Sequence, residues 1–249
     1  MFRDLLGHDD WTPVGHGESG ARVFRSADGA RYAKCGPAAE LTAERDRLAW
    51  LAGHDVPGQR VLDWRTAGDR ACLVTSAVDG VPAHQVSPGE LERAWQPIAE
   101  AVRRLHGLPG CPFSRDLDWM LARAEDVVAR GAVNPDFLPE EQVGTPPPEL
   151  LARLRPELDL RREQEARDGV VCHGDLTLPN VILDPESLTV AGFVDVGRLG
   201  RADPHADLVL LFATADEIRP GLPREGLFGL DPDPGRLRFY LHLDPLTWG

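Results

Sequence analysis

The sequence is poor in several features that mark whole classes of protein. It contains one lysine, Lys34, in 249 residues. No apolar run approaches the roughly 20 residues that a membrane-spanning helix needs, which argues against a membrane protein. The four cysteines are scattered and include no CxxC pair. We therefore expect neither a zinc site nor a disulfide framework, and we expect a reducing compartment.

The N-terminus also lacks a targeting signal. Residues 1–11 carry three aspartates and no apolar stretch of the kind that precedes a signal-peptide cleavage site. The simplest expectation is a cytoplasmic protein. The sequence holds no internal repeat and no low-complexity tract, so repeat architectures are excluded as well.

The charge balance is acidic and excludes a further class. Lysine and arginine total 27 against 40 acidic residues, which gives a net charge of −13. A nucleic-acid-binding protein normally carries a basic patch, and the sequence contains no cluster of that kind. An acidic surface favours solubility and would also attract a cationic ligand. The charge alone does not decide between these two roles.

The order of predicted elements indicates two lobes. Short strands, the hairpin turn at Asp28-Gly29 and one helix occupy residues 1–78, and the boundary lies at about 75–80. Residues 79–249 are mainly helical with an embedded group of short strands. Ser87 and Glu90 form a capping box for a helix that reaches His106, which we expect Pro97 to kink or split. The other predicted helices cover 116–130, 149–167 and 206–215, and a loop covers 131–148.

A glycine-rich segment separates the first two predicted strands. Gly15, Gly17 and Gly20 spell G-x-G-x-x-G. A dinucleotide-binding fingerprint would continue into a helix, whereas this segment has strands on both sides. An ordinary hairpin turn is one interpretation. The other is a loop over nucleotide phosphates, to which Ser19 could donate its hydroxyl.

Lys34 and Glu44 are the second candidate pair. Lys34 ends a predicted strand, and the following helix places Glu44 on the same face as its leucines. A carboxylate that faces a core is costly unless it is paired. Kinases use such a lysine–glutamate ion pair between a strand and a helix. Glu40 is the competing partner, and an exposed Glu44 is the alternative if the helical phase differs.

The most informative motif begins at His173-Gly174-Asp175. Asn180 follows five residues after Asp175, and a second β-like run leads into Asp195-Val196-Gly197. Kinase catalytic loops carry His-Arg-Asp with an asparagine at the same spacing, followed by Asp-Phe-Gly. This order suits a carboxylate for the substrate hydroxyl, with an amide and a second carboxylate for Mg²⁺.

The motif His173-Gly-Asp-x-x-x-x-Asn180 with Asp195-x-Gly-Arg198 resembles the aminoglycoside phosphotransferases over essentially the whole chain. Residues 132–139 and 243–249 are similar to the streptomycin 3″-phosphotransferase branch of that family. The resemblance implies an α+β, protein-kinase-like bilobed fold with a β-rich N-lobe and a mainly helical C-lobe. It also implies a monomeric enzyme that uses ATP and Mg²⁺ to phosphorylate a hydroxyl of a cationic substrate.

The resemblance further implies a role for each matching position. Asp175 would orient or deprotonate the attacking hydroxyl, and the buried carboxylate of Asp207 would brace the catalytic loop. The remaining implied roles are Mg²⁺ binding by Asn180 and Asp195, phosphate contacts by Lys34 held by Glu44, a phosphate loop at Gly17, Ser19 and Gly20, and adenine contacts from the backbone of Thr75, Ser76 and Ala77.

Substrate recognition is the least determined part of the sequence. A guanidinium-bearing cation needs carboxylates. The candidates are Asp136, Asp203, Asp216, Glu217 and Asp244. The segment 219–233 is rich in proline and glycine and is shorter than the family's usual helical segment, which implies an altered substrate wall. A kinase for another aminoglycoside, a macrolide or an amino alcohol, and a regulatory pseudokinase, remain the alternatives.

Overall fold

The N-terminal part of the chain forms one antiparallel sheet, as its short β-prone runs and turn residues predict. The computed structural model describes residues 6, 10–16 and 21–249. The strand order is β1-β2-β3-β5-β4. Gly29 adopts a φ of +74° in the predicted hairpin between β2 and β3. The strands are β1 Trp11–His16, β2 Arg22–Ser26, β3 Arg31–Pro37, β4 Val61–Ala67 and β5 Arg70–Ser76.

Helix α1 (Ala38–Leu51) packs against this sheet. Leu41, Leu48 and Leu51 are buried on its inner face, and Glu44 is buried on the same face. The helical phase inferred from the leucine spacing is therefore confirmed. This phase turns one carboxylate of α1 toward the end of β3.

Two cysteines of the sheet correct an expectation from the sequence. Cys35 of β3 lies directly opposite Cys72 of β5, and the two form a disulfide across a sequence separation of 37 residues. The expectation that the chain has no disulfide was wrong because spacing along the chain does not reveal strand register. Cys111 and Cys172 are free and buried, and Cys172 is a core residue as expected.

The C-terminal part is mainly helical and contains two small sheets. The helices are α2 Pro88–His106, α3 Leu117–Ala129, α4 Pro147–Leu154, α5 Leu158–Asp168, α6 His205–Ile218 and α7 Pro234–Leu243. One sheet has the order β6-β8-β9, and the other pairs β10 with β7. These strands are β6 Val81–Pro82, β7 Val170–Cys172, β8 Val181–Leu183, β9 Val190–Phe193 and β10 Gly200–Ala202.

Two helical predictions differ from the structure, and one helix was missed. The capping box of Ser87 and Glu90 is present, and α2 is not split at Pro97 but continues through it. Its apolar face, including Trp95 and Ile98, is buried in the core, and this packing outweighs one lost hydrogen bond. The single helix predicted at 149–167 is divided at a turn that contains Pro156. Helix α7 was not predicted.

One hydrophobic cluster joins the N-terminal sheet and α1 to the C-terminal part. Leu48 of α1 and Leu73 of β5 belong to the same buried cluster as Phe193 of β9 and Leu208 of α6. A second cluster holds α3, α4 and α7 together. The shared cluster fixes the end of β3 opposite the loops that follow β7 and β9. Among the described residues, none belongs to a helix with the length and apolar character to cross a membrane.

Candidate active site

Lys34 and Glu44 meet across the boundary between β3 and α1. The Nζ atom of Lys34 lies 2.9 Å from Oε2 of Glu44 and 2.8 Å from Oδ1 of Asp195. Glu40, the competing partner, is exposed. The preference for Glu44 is therefore confirmed. The single lysine of the chain bridges a carboxylate of the N-terminal part and a carboxylate of the C-terminal part.

The charges around Lys34 are tightly coupled. Burial opposes the charged ammonium, but the carboxylates of Glu44 and Asp195 outweigh it and raise the pKa of Lys34. Burial also raises the pKa of Glu44, although the Lys34 ammonium opposes this shift. Lys34 is therefore held as a cation between these carboxylates. Its remaining negative partner, Asp195, comes from the opposite side.

The loop after β7 has its backbone fixed by a buried carboxylate. The N–H groups of His173 and Gly174 donate to the two carboxylate oxygens of Asp207, at 2.6 and 2.9 Å. Asp207 is fully buried and also contacts His106 Nε2 at 3.2 Å. Burial opposes ionisation, but His106 and the backbone donors lower the pKa of Asp207. A charged Asp207 therefore holds the loop, as the sequence resemblance implied.

Gly174 is required by both conformation and space. Its φ is +88°, in the left-handed region that favours glycine. A Cβ atom at this position would lie 2.2 Å from the backbone oxygen of Arg198. The loop after β7 therefore contacts the backbone of the segment after β9. An arginine at this position, as in the protein-kinase motif, does not fit this arrangement.

His173 joins the same two segments through its ring. The backbone N–H of Asp175 donates to Nδ1 at 3.3 Å, and Nε2 lies 3.0 Å from the backbone oxygen of Val194. These partners assign the proton to Nε2, because Nδ1 is the acceptor. Burial lowers the pKa of His173. We infer that this neutral histidine orients the loop and takes no proton itself.

The side chain of Asp175 lies at the centre of the cleft beside Asn180. The amide nitrogen of Asn180 donates to Oδ2 and to the backbone oxygen of Asp175, both at 2.9 Å. Burial, followed by the negative charges of Asp195 and Asp244, raises the pKa of Asp175 to about 7. A carboxylate with a pKa near neutrality suits proton acceptance from a hydroxyl.

Asp195 occupies a different environment from Asp175. Its φ of +57° is unusual for a residue other than glycine, and such strain is often found at functional positions. Half of its side chain is exposed. Burial of the site opposes ionisation, but the Lys34 ammonium outweighs it and keeps the pKa of Asp195 below its ordinary value. Asp195 is therefore held as an anion at the mouth of the cleft.

The residues present fit a magnesium ion. Asn180 directly precedes β8, and Val194 directly follows β9. The Val194 N–H donates to the Asn180 backbone oxygen at 3.0 Å. This bond places Asn180 and Asp195 at the same end of the β8–β9 hairpin. Because the amide nitrogen of Asn180 faces Asp175, its amide oxygen is left for another partner. An amide oxygen and an anionic carboxylate are the hard ligands that Mg²⁺ prefers.

The segment predicted to contact adenine, Thr75–Ala77, comprises the last two residues of β5 and the residue that follows. Thr75 is buried and accepts a hydrogen bond from Gln59. The N–H groups of Ser76 and Ala77 already donate to backbone oxygens of Arg60 and Ala30. Any adenine contact from this segment would therefore use carbonyl groups rather than these two N–H groups, and it remains a prediction. The predicted phosphate loop at Gly17, Ser19 and Gly20 lies outside the described residues.

Asp203, one of the predicted substrate carboxylates, does not match its prediction. It is fully buried, and it pairs with His205 at 2.8 Å and with Arg236 at 2.5 Å. Sequence could not reveal the arginine, which lies 33 residues further along the chain. Because both carboxylate oxygens are engaged in the interior, we assign Asp203 to the junction of α6 and α7 instead of the substrate.

The other predicted carboxylates have mixed surroundings. Asp216 pairs with Arg224 of the segment 219–233, which folds back over α2 so that Trp95 donates to the Pro223 oxygen at 2.6 Å. Glu217 and Asp136 are exposed. Asp244 is buried and pairs with Arg115 at 2.7 Å, yet its charge acts on Asp175. The negative charge of Asp244 is one cause of the raised pKa of Asp175.

Two residues near the catalytic loop, Arg198 and Trp248, were given no role from the sequence. Arg198 was noted only as part of a motif, and Trp248 only as part of the similar C-terminal stretch. In the structure the guanidinium carbon of Arg198 lies 3.3 Å from the ring centroid of Trp248. The two residues are 50 positions apart, so no local pattern could predict their contact. The positive charge of Arg198 lowers the pKa of Asp175 against the effect of burial.

Known proteins that are similar in sequence and known proteins that are similar in structure are both phosphotransferases. Residues 10–240 match the phosphotransferase enzyme family. The chain is 60% identical to the streptomycin 3″-kinase of Streptomyces griseus, over 96% of this chain and 93% of that protein. It is 43% identical to an aminoglycoside 3′-phosphotransferase of Streptomyces fradiae, over 82% of this chain and 79% of that protein.

Two solved structures of one enzyme are similar over nearly the whole chain. Aminoglycoside phosphotransferase APH(3″)-Id from Streptomyces rimosus superposes with a TM-score of 0.93 and 59% identity, covering 98% of this chain and 97% of that one. The same enzyme in complex with ADP and streptomycin gives a TM-score of 0.91 and 57% identity, with the same coverage. The expected α+β, kinase-like fold is thereby confirmed.

Proposed function

The chain belongs to the phosphotransferase enzyme family, and from that premise we propose that it transfers the γ-phosphoryl group of ATP to the 3″-hydroxyl of streptomycin. The observation that carries the proposal is the convergence of Lys34, Asp175, Asn180 and Asp195 on one cleft. Modification of the antibiotic would confer resistance to it. The relatives that phosphorylate streptomycin or bind it with ADP support this choice of substrate.

The proposed reaction has one bond formed and one broken. The 3″-oxygen attacks the γ-phosphorus, the bond from that phosphorus to the bridging oxygen of ADP breaks, and the hydroxyl proton passes to a carboxylate oxygen of Asp175. Asp175 is suited to this step because its pKa lies at about 7. The reaction leaves streptomycin phosphate, ADP and a protonated Asp175, which then returns its proton to water.

The remaining residues position the nucleotide. In the proposed mechanism, Lys34 contacts the α- and β-phosphates while Glu44 keeps it charged and oriented. Asn180 and Asp195 hold Mg²⁺, which supplies positive charge against the triphosphate when bound. The loop at Gly17, Ser19 and Gly20 covers the phosphates, and the segment Thr75–Ala77 receives adenine. We place the boundary between the two lobes directly after this segment, at about residue 78.

The cationic substrate requires negative charge near Asp175. Asp244 supplies part of this charge, because its charge acts on Asp175, but both of its oxygens are engaged by Arg115 and Trp248, as those of Asp203 are by its own partners. Asp136, Asp216 and Glu217 are the more exposed candidates. The net charge of −13 would favour the approach of streptomycin, whose guanidinium groups are cationic. We further propose a monomeric enzyme that works in the cytoplasm.

A substrate panel tests the proposal. Purified protein with Mg-ATP is assayed for ADP release with streptomycin, kanamycin, a macrolide and choline, and the product is located by phosphorus–proton coupling in NMR spectra. We expect kcat/KM for streptomycin to exceed the others by at least about 10²-fold, with phosphate at the 3″ position. ADP release that does not depend on streptomycin would contradict the proposal. Asp175→Asn serves as the control for contaminating kinases.

A further inference from the structure

The side chain of Trp248 connects three separate segments beside the cleft. Its ring stacks with the Arg198 guanidinium at 3.3 Å, and its indole N–H donates to Oδ2 of Asp244 at 3.0 Å. The ring of Phe137, from the loop between α3 and α4, meets it edge to face at 6.4 Å between centroids. Trp248 thus has three defined partners.

Arg198 is held by the C-terminal segment alone. Its two terminal nitrogens donate to the Oγ1 and backbone oxygen of Thr247, at 2.8 and 3.0 Å. Within the described part of the chain, no carboxylate lies within ion-pair distance of Arg198. Its charge nevertheless acts on both Asp175 and Asp195. The Trp248 face therefore takes the place of a carboxylate partner for Arg198, whose backbone oxygen lies against Gly174 of the catalytic loop, 2.2 Å from where a Cβ of that residue would be.

Asp244 is the carboxylate that could neutralise Arg198. The two groups lie close enough for the Asp244 charge to act on Arg198. Both oxygens of Asp244 are occupied, however, because Oδ1 accepts from Arg115 at 2.7 Å and Oδ2 accepts from Trp248. The indole thus contacts the cation with its face and the competing anion with its N–H. This double contact separates two charges that would otherwise pair.

We infer that Trp248 is a positioning residue that acts through Arg198, holding its unpaired guanidinium beside the carboxylates of the cleft. The inference rests on the proposed function, because it assigns the guanidinium a role in phosphoryl transfer. A fixed positive charge near the reacting groups stabilises the transition state without reorganisation at the moment of reaction. The contribution should therefore be to kcat and should leave the binding of ATP unchanged.

A double-mutant cycle tests this coupling. Trp248→Leu removes the ring face, Arg198→Met removes the charge, and both single-turnover transfer and steady-state kinetics are measured with streptomycin. We expect Trp248→Leu to lower kcat by about ten- to a hundredfold, as a misplaced group does, with the KM for ATP within about twofold. In the Arg198→Met background the same change should cost less than about twofold. Additive losses, or an unchanged kcat for Trp248→Leu, would overturn the inference.

Two further variants keep the outcome decisive. Trp248→Phe retains an aromatic face for Arg198 and should keep at least about half of the wild-type kcat. A folded Trp248→Phe variant with a kcat well below half of the wild-type value would contradict the inference, whether or not the leucine variant folds. Trp119→Leu is the matched control, because Trp119 is an exposed tryptophan of α3, and its kcat should equal that of wild type. Wild-type protein without streptomycin-dependent turnover would instead reject the proposed function.

Discussion

The loop after β7 and the segment after β9 each bring one aspartate into the cleft, but they surround it differently. Asp175 is largely buried, and its nearest donor is the neutral amide of Asn180. Asp195 is half exposed and lies 2.8 Å from the Lys34 ammonium. The pKa of Asp175 rises to about 7, whereas the pKa of Asp195 falls. The two aspartates therefore differ in behaviour: Asp175 is suited to accept a proton, whereas Asp195 stays an anion.

This difference has a structural origin in the backbone. The catalytic loop is fixed by Asp207 through two N–H groups, and the side chain of Asp175 lies against Asn180. The left-handed conformation of Asp195 turns its side chain toward the mouth of the cleft and Lys34. Opposite pKa shifts of two neighbouring carboxylates commonly separate an acid–base role from an electrostatic role. The experiments below test whether the two positions can be separated in the same way.

The largest expected effect is that of Asp195→Asn. Asparagine tolerates the left-handed backbone, so the change removes the charge and leaves the loop in place. We expect kcat to fall by about 10³-fold or more and the concentration of Mg²⁺ needed for half-maximal activity to rise. The measurement is a Mg²⁺ titration at saturating ATP and streptomycin. A variant with wild-type Mg²⁺ dependence would remove Asp195 from the metal site.

A smaller effect is expected from Gly174→Ala, which moves the catalytic loop without removing a functional group. The new Cβ would lie 2.2 Å from the Arg198 backbone oxygen, so the loop must shift to relieve the clash. A shift of about 1 Å in the catalytic groups costs about 10²-fold in kcat. Gly68→Ala is the matched control. Its φ is also positive, at +63°, but no atom lies within 4 Å of the added Cβ. Equal kinetics for the two variants would show that the contact between loop and segment is unimportant.

The smallest expected effect is on stability, and it has opposite signs at the two positions. A raised pKa means that native Asp175 binds its proton more tightly than the unfolded chain does, so the loss of stability builds up between the ordinary aspartate pKa of 3.8 and about pH 7 and is fully present above pH 7. Asp175→Asn should therefore raise the melting temperature at pH 8, and this gain should shrink toward pH 5. The lowered pKa of Asp195 means that its anion stabilises the fold at neutral pH, so Asp195→Asn should lower the melting temperature at pH 8.

Calorimetry without Mg²⁺ or nucleotide measures this contrast. In a chain of this length, 1 kcal/mol corresponds to roughly 2–4 °C, so shifts of a few degrees are resolvable. Shifts of the same sign at pH 8 would refute the electrostatic difference between the two carboxylates.

The pairing of Lys34 with Glu44 could be predicted because it had a local signal. Glu44 lay on a leucine stripe, and Lys34 was the single lysine available to pair it. The spacing from Asp175 to Asn180 also reflects one short loop. Asp207 was identified through the family resemblance alone. In each of these cases, either a local pattern or a shared motif carried the information.

Apart from the helix boundaries, the failures concern contacts between residues distant in sequence. Asp203 was wrongly predicted to contact substrate. Its buried partner, Arg236, lies on another helix, so the sequence did not reveal that the carboxylate is already paired. The Cys35–Cys72 disulfide depends on the register between β3 and β5. The stack of Arg198 on Trp248 depends on how the C-terminus returns to the cleft. Burial and pairing of this kind are set by tertiary packing, which one sequence does not display.

The most direct test of the central claim is single-turnover phosphoryl transfer by Asp175→Asn, with Mg-ATP affinity measured on the same preparation. The substitution keeps the shape of the side chain and removes its ability to accept a proton. We predict that the affinity for Mg-ATP stays within about threefold of wild type, while transfer to streptomycin slows by about 10²–10⁴-fold. Transfer at the wild-type rate, or loss of nucleotide binding equal to the loss of transfer, would contradict the account.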